Sequence, residues 1–129
     1  MARVSTSKLS DLSGQEMWER IGDPARLYEW HPAIEATEVL DGGKTRVNTR
    51  RDGGRVSETI LEQAERHYSF RIDESPLPLE NLIGTLRVSD EGQGACVVEW
   101  QATFDPAGIP EDEAAEGVRA FFQAGLDAL

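Results

Sequence analysis

The chain has 129 residues, 39% of them hydrophobic, which suffices for one globular domain over residues 1–129 with a buried core and leaves no room for a second. Thirteen basic against twenty-four acidic residues give a net charge of −11, which repels phosphate backbones and anionic lipid surfaces, so neither nucleic acid nor membrane insertion is expected. The lone Cys96 allows no internal disulfide, and the chain carries no charged-then-apolar leader pattern and no apolar run of membrane-spanning length; a cytoplasmic location is expected.

Weak alternation over Arg3–Leu9 predicts a first strand. Ser13, with Glu16 three residues later, forms a capping-box pattern that starts a short helix running through Ile21. Asp23-Pro24 then supplies a second cap and a proline at the first helical position. A second short helix is predicted from Pro24 to about Trp30, ended by Pro32. From Ala36 the period changes to that of strands. Ala36–Leu40, Lys44–Arg51 and Arg55–Ala64 are separated by Asp41-Gly42-Gly43 and Asp52-Gly53-Gly54, the pattern of consecutive antiparallel hairpins.

His67–Asp73 places Tyr68, Phe70 and Ile72 on one face and His67, Ser69 and Arg71 on the other, as in a half-buried strand. Asn81–Ser89 and Ala95–Asp105 form two longer strands, and Cys96, Val98, Trp100, Ala102 and Phe104 share one face of the last. Pro106-Ala-Gly-Ile-Pro110 breaks the sheet. The acidic run Glu111-Asp112-Glu113 suits the positive end of a helix macrodipole, and Val118, Phe121, Phe122, Gly125, Leu126 and Leu129 recur at helical spacing. One strand, two short helices, six strands and one long helix make an α+β chain, β-α-α-β6-α, with a curved antiparallel sheet of about seven strands. The broad apolar stripe of the last helix must cover the inner face of that sheet. A gap between the two, plugged at one end by the short helices, is a natural cavity for a small apolar molecule.

These residues resemble the START-like, or Bet v 1-like, superfamily, in its small bacterial polyketide cyclase/dehydrase branch, the SRPBCC proteins. The resemblance covers almost the whole chain and rests on Met17-Trp18, Gly22-Asp23-Pro24, Trp30-His31-Pro32, Arg46, Asp52-Gly53, Glu58, Tyr68, Leu77-Pro78, Val98-Glu99-Trp100, Phe122 and Gly125-Leu126. It implies a helix-grip fold, in which the sheet wraps a long C-terminal helix around an elongated hydrophobic cavity. It fixes no reaction, because the superfamily spans lipid carriers, hormone receptors and cyclases.

Arg46, Asn48 and Arg50 alternate on one face of their strand, as do Val56, Glu58 and Ile60 on the next. A three-residue turn Asp52-Gly53-Gly54 sets Asn48 opposite Glu58 and Arg46 opposite Ile60, leaving Arg46 and Glu58 as diagonal neighbours. On a concave face the pair can anchor a carboxylate, phenol or carbonyl of a ligand, with Glu58 as a general base. On a convex face it is an ordinary surface ion pair worth roughly 0–1 kcal/mol. Val56 and Ile60 on the same face favour the concave reading.

His31, beside Trp30 at a helix end, is a second acid/base candidate, although a histidine there more often bonds the last carbonyls. Trp18 reads as core, whereas Trp30, Trp100 and Phe122 are candidates for the cavity wall. Tyr68 is a candidate polar contact for a ligand, or else bonds Glu58 or a backbone carbonyl. Two separated histidines and one cysteine offer no zinc-ligand spacing, and neither metal nor cofactor is expected. No nucleophile elbow is present.

The leading expectation is a protein, monomeric or weakly dimeric, that binds a small hydrophobic or aromatic ligand. The alternatives are a polyketide cyclase or dehydratase using Glu58 or His31, and a protein-interaction module that presents its convex sheet.

Overall fold

The computed structural model describes residues Met1–Leu129. The capping box forms as its spacing requires. The Glu16 N–H donates to Ser13 Oγ at 3.1 Å and the Ser13 N–H donates to Glu16 Oε1 at 3.2 Å, which starts α1 (Gly14–Ile21). Met17 and Ile21, one turn apart, are buried together. The second predicted helix is a 3-10 helix, Pro24–Glu29. Asp23 Oδ1 caps it by accepting from the Ala25 N–H at 2.9 Å, and Arg26 is non-helical within it. A segment this short between two prolines has no length for an α-helical ladder.

The strands are β1 (Ala2–Ser10), β2 (Ile34–Leu40), β3 (Thr45–Arg50), β4 (Arg55–Gln63), β5 (His67–Glu74), β6 (Leu79–Glu91) and β7 (Ala95–Pro106), followed by α2 (Glu111–Asp127). They form one antiparallel sheet in the order β1-β7-β6-β5-β4-β3-β2, so the first strand joins the far side of a meander. Register shifts between Ser57 and Glu58, Ile60 and Glu62, and Glu80 and Ile83 bend β4 and β6, and this bending curves the sheet around α2. This is the α+β helix-grip fold expected from the sequence. The inner residues of β7, namely Cys96, Val98, Trp100, Ala102 and Phe104, are all buried, as their alternation predicts.

The pairing of β3 with β4 corrects the predicted register. Arg46 lies directly opposite Glu58, and Asn48 is opposite Val56. The connection is Arg51-Asp52-Gly53, because Gly53 takes the positive φ of +94° that ends a three-residue hairpin loop. Gly54 is already paired, its carbonyl accepting from the Arg50 N–H at 2.7 Å, and its own N–H donates to Asp52 Oδ1 at 2.9 Å. Two adjacent glycines gave the sequence two places to turn. The side chain of Asp52 selects the first.

Candidate functional site

Helix α2 meets the sheet in two different ways along its length. Toward its C-terminus the contact is solid. Trp100 stacks on Phe122 with centroids 4.4 Å apart, Trp30 packs 5.4 Å from Trp100, and Leu126 is fully buried. The backbones approach so closely that a Cβ on Gly125 would lie 2.6 Å from His31 Cδ2 and 2.9 Å from the Trp100 ring. Toward its N-terminus, α2 stands off from the sheet and leaves a cavity of about 310 Å³.

Each layer contributes to the cavity wall. Helix α2 provides Ala114, Gly117, Val118, Phe121 and Phe122; β3 and β4 provide Arg46, Asn48, Arg50, Val56 and Glu58; β5 to β7 provide Phe70, Ile72, Leu79, Leu82 and Trp100. Leu27 from the 3-10 helix, Ile34, the Leu77-Pro78 loop, Ile109 and Glu113 complete it. Arg46 and Glu58 therefore occupy the concave face.

They form a closed polar cluster. Arg46 donates through Nε and Nη2 to Glu58 Oε1 at 3.0 and 2.8 Å, and through Nη1 to the Pro24 carbonyl at 2.9 Å and to Tyr68 Oη at 3.1 Å. Asn48 Nδ2 donates to Glu58 Oε2 at 3.0 Å, while Asn48 Oδ1 accepts from Thr37 Oγ1 at 2.9 Å. Burial opposes the Arg46 charge, but Glu58 and Tyr68 outweigh it and hold the guanidinium above its ordinary pKa. Both partners of the ion pair are almost wholly buried. Removing either would strand a charge at a cost of about 3–5 kcal/mol.

Of the residues singled out from sequence, the structure brings Arg46, Asn48, Glu58, Trp100 and Phe122 to the cavity wall and leaves Trp30, His31 and Tyr68 off it. Tyr68 stands behind Arg46 as its hydrogen-bond partner, neither lining the cavity as a ligand contact nor bonding Glu58 or a backbone carbonyl, the two alternatives read from the sequence. Trp30 belongs to the solid end. His31 is buried there too, and its imidazole neither bonds the last carbonyls of its own helix nor lines the cavity. Its Nε2–H donates to the Phe121 carbonyl at 2.8 Å, its Nδ1 accepts from the Ala33 N–H at 3.1 Å, and its ring stacks on Phe121 at 4.1 Å. With both ring nitrogens engaged, His31 is a tether between the Trp30–Ile34 segment and α2. Burial, opposed by the Phe121 bond and helped by the Arg50 charge, lowers its pKa from the ordinary value. Cys96 is buried, and that burial pushes its thiol pKa up.

Sequence reasoning passed over Arg50. Its alternation with Arg46 and Asn48 is the signal that places it on the same wall. Its guanidinium lies 5.8 Å from the Phe121 ring centroid.

The whole chain, residues 1–129, matches the family model described as polyketide cyclase / dehydrase and lipid transport. The protein belongs to this family. Among solved structures, this family member is similar to the protein XoxI of Bacillus cereus, with 29% identity and a TM-score of 0.97 over 99% of this chain and 92% of that one. It is also similar to an uncharacterized protein of Bacillus thuringiensis, with 30% identity and a TM-score of 0.96 over 99% and 96% of the two chains. A START superfamily protein of Mycobacterium smegmatis shares the fold at 11% identity, with a TM-score of 0.82 over 98% and 92%. A search of curated proteins finds no match. As a START-like domain of the SRPBCC superfamily, the chain has the ligand-binding or cyclase-type architecture of that superfamily, and no helix in it is long and apolar enough to cross a membrane.

Proposed function

We propose that the protein binds a small hydrophobic or aromatic molecule in the cavity between the sheet and the N-terminal half of α2. The observation that carries this reading is the cavity itself: about 310 Å³, with fourteen of its twenty-one lining residues hydrophobic, so that burial of apolar surface supplies affinity. The closed cluster of Arg46, Asn48 and Glu58 makes one wall polar and fixes its shape, with Tyr68 supporting Arg46 from behind. The family description, which includes lipid transport, is in keeping with this.

A cyclase or dehydratase needs an acid or base free to exchange protons with its substrate. Glu58 already accepts from three N–H groups and both nitrogens of His31 are engaged, an arrangement that favours binding over catalysis. The interaction-module reading calls for a cavity filled by Phe121, Phe122 and the tryptophans, and Phe122 is instead stacked against Trp100 at its edge.

Native mass spectrometry of protein purified from its source organism tests the proposal. The expected result is a co-purifying small molecule that is absent from Val118→Phe, whose added ring occupies the cavity. Retention of the same molecule by Val118→Phe overturns the assignment to this cavity.

A further inference from the structure

The cavity wall carries polar atoms of two kinds, and their hydrogen-bond accounts differ. Its buried acceptors are already served: both Glu58 oxygens receive donors from Arg46 and Asn48, and Asn48 Oδ1 receives one from Thr37. Its unserved buried atoms are both donors, Arg50 Nε and Trp100 Nε1. Both lie covered by neighbouring atoms, whereas the two Nη atoms of Arg50 make no hydrogen bond and are not buried, so an incoming acceptor meets the guanidinium there. The wall therefore asks an occupant for acceptor oxygens and offers little to a donor.

Charge points the same way. Arg46 is neutralised by Glu58 at 2.8 Å. Arg50 has only Asp52 near it, with Oδ2 3.5 Å from Nε, outside hydrogen-bond geometry, and that carboxylate is 65% exposed on the hairpin loop. A pair of this kind holds its partner weakly and is readily exchanged. Glu113 also borders the cavity, but it is exposed and makes no ion pair with Arg50. The Arg50 backbone is fixed by its pairing with Gly54, so its side chain projects from a rigid base, over Phe121. The net charge of −11 slows the approach of an anion, yet charges beyond about 10 Å are screened at ordinary salt, and the local guanidinium decides the bound state.

Resting on the cavity reading above, we propose that the occupant is an organic acid: an apolar body held among the aliphatic and aromatic side chains, with an oxyanion such as a carboxylate paired to Arg50. The planar fork of the guanidinium matches two oxygens of such a group, and partial burial strengthens the pair. Arg50 is then a specificity-determining residue of the site.

Two fluorescent probes that share one aromatic skeleton test this: 8-anilinonaphthalene-1-sulfonate, an anion, and N-phenyl-1-naphthylamine, its neutral counterpart. Both are expected to bind the wild-type protein and to be excluded from Val118→Phe. Arg50→Gln is expected to weaken the sulfonate about tenfold more than the amine, the scale of a charge-assisted hydrogen bond. Asp52→Asn keeps the Oδ1 acceptor for Gly54 and removes the competing charge. It is expected to tighten the sulfonate two- to fivefold, roughly the worth of an exposed pair, without a matching change for the amine. Equal weakening of both probes in Arg50→Gln overturns the role of Arg50 and leaves the cavity reading standing. An unchanged sulfonate affinity in Asp52→Asn does the same, and does so even where Arg50→Gln fails to fold. Failure of both probes to bind the wild-type protein overturns the cavity reading, and the organic acid with it.

Discussion

The two halves of α2 solve the problem of covering a curved sheet differently. The C-terminal half is held by packing: Gly125 lets the helix sink onto His31 and Trp100, and Trp100, Phe122 and Leu126 fill the space between. The N-terminal half lies over a hollow, and what holds the opposite wall in place is a hydrogen-bonded ionic cluster built around Arg46. A wall of aliphatic residues could collapse toward the helix, because apolar packing has no fixed direction. Arg46, clamped by Glu58, Tyr68 and the Pro24 carbonyl, cannot follow without breaking directional bonds. A cavity in a marginally stable protein thus needs a rigid polar wall as much as it needs apolar lining.

Breaking that wall should have the largest effect. Glu58→Gln leaves the buried Arg46 charge unpaired, and a loss of about 3–5 kcal/mol is expected in urea unfolding. A loss under about 1 kcal/mol would mean that the cluster is not what keeps the wall in place. The same deletion made at each end measures the contrast directly. Leu126→Ala, in the solid end, is expected to cost about 4 kcal/mol, and Leu82→Ala, already bordered by empty space, about 2 kcal/mol. Equal costs would remove the distinction.

Glycine substitutions give opposite signs. Gly125→Ala forces a Cβ to within 2.6 Å of His31 and should destabilise by about 1–2 kcal/mol, helix propensity notwithstanding. Gly117→Ala meets nothing within 4 Å and should stabilise by up to about 1 kcal/mol. Thermal melting of the two variants reads the difference, and a shift of the same sign in both contradicts it.

The smallest effect concerns pH. Burial lowers the pKa of His31 below its ordinary 6.5, so between the lowered value and 6.5 the folded protein binds fewer protons than the unfolded chain. Stability from this residue is fully present above 6.5, falls as the pH drops through that window, and declines no further below it. Urea midpoints between pH 7 and pH 5 should show this slope, and His31→Gln should flatten it. An unaltered slope in the variant assigns the titration to another group.

Much of the fold was legible in local sequence. The Ser13–Glu16 box, the Asp23-Pro24 start, the alternation of β5 and β7 and the helical stripe from Val118 to Leu126 each stand in the structure close to where the pattern set them. So did the sharing of one strand face by Arg46, Asn48 and Arg50, which follows from the two-residue period alone. The site was legible only in part. Arg46, Asn48, Glu58, Trp100 and Phe122 were named from sequence and reach the cavity wall, but the diagonal pairing of Arg46 with Glu58 was wrong by the choice between Gly53 and Gly54. Trp30 and His31 sit at a helix end where either a cavity mouth or a packed seam was consistent with the sequence.

What the sequence determined by itself is what repeats over a few residues: caps, periods, the amphipathic stripe and the class of fold they permit. The tertiary structure alone decided which stretch of α2 touches the sheet and which stands away, because that depends on where bulges in β4 and β6 bend the sheet and on how near Gly125 lets the helix come. It also turned His31 into a tether and left Arg50 with an unpaired donor, since hydrogen-bond partners ninety residues away in the chain, such as the Phe121 carbonyl, are invisible to any local pattern. Local propensity is set by neighbours in sequence, whereas burial and polar satisfaction are set by neighbours in space.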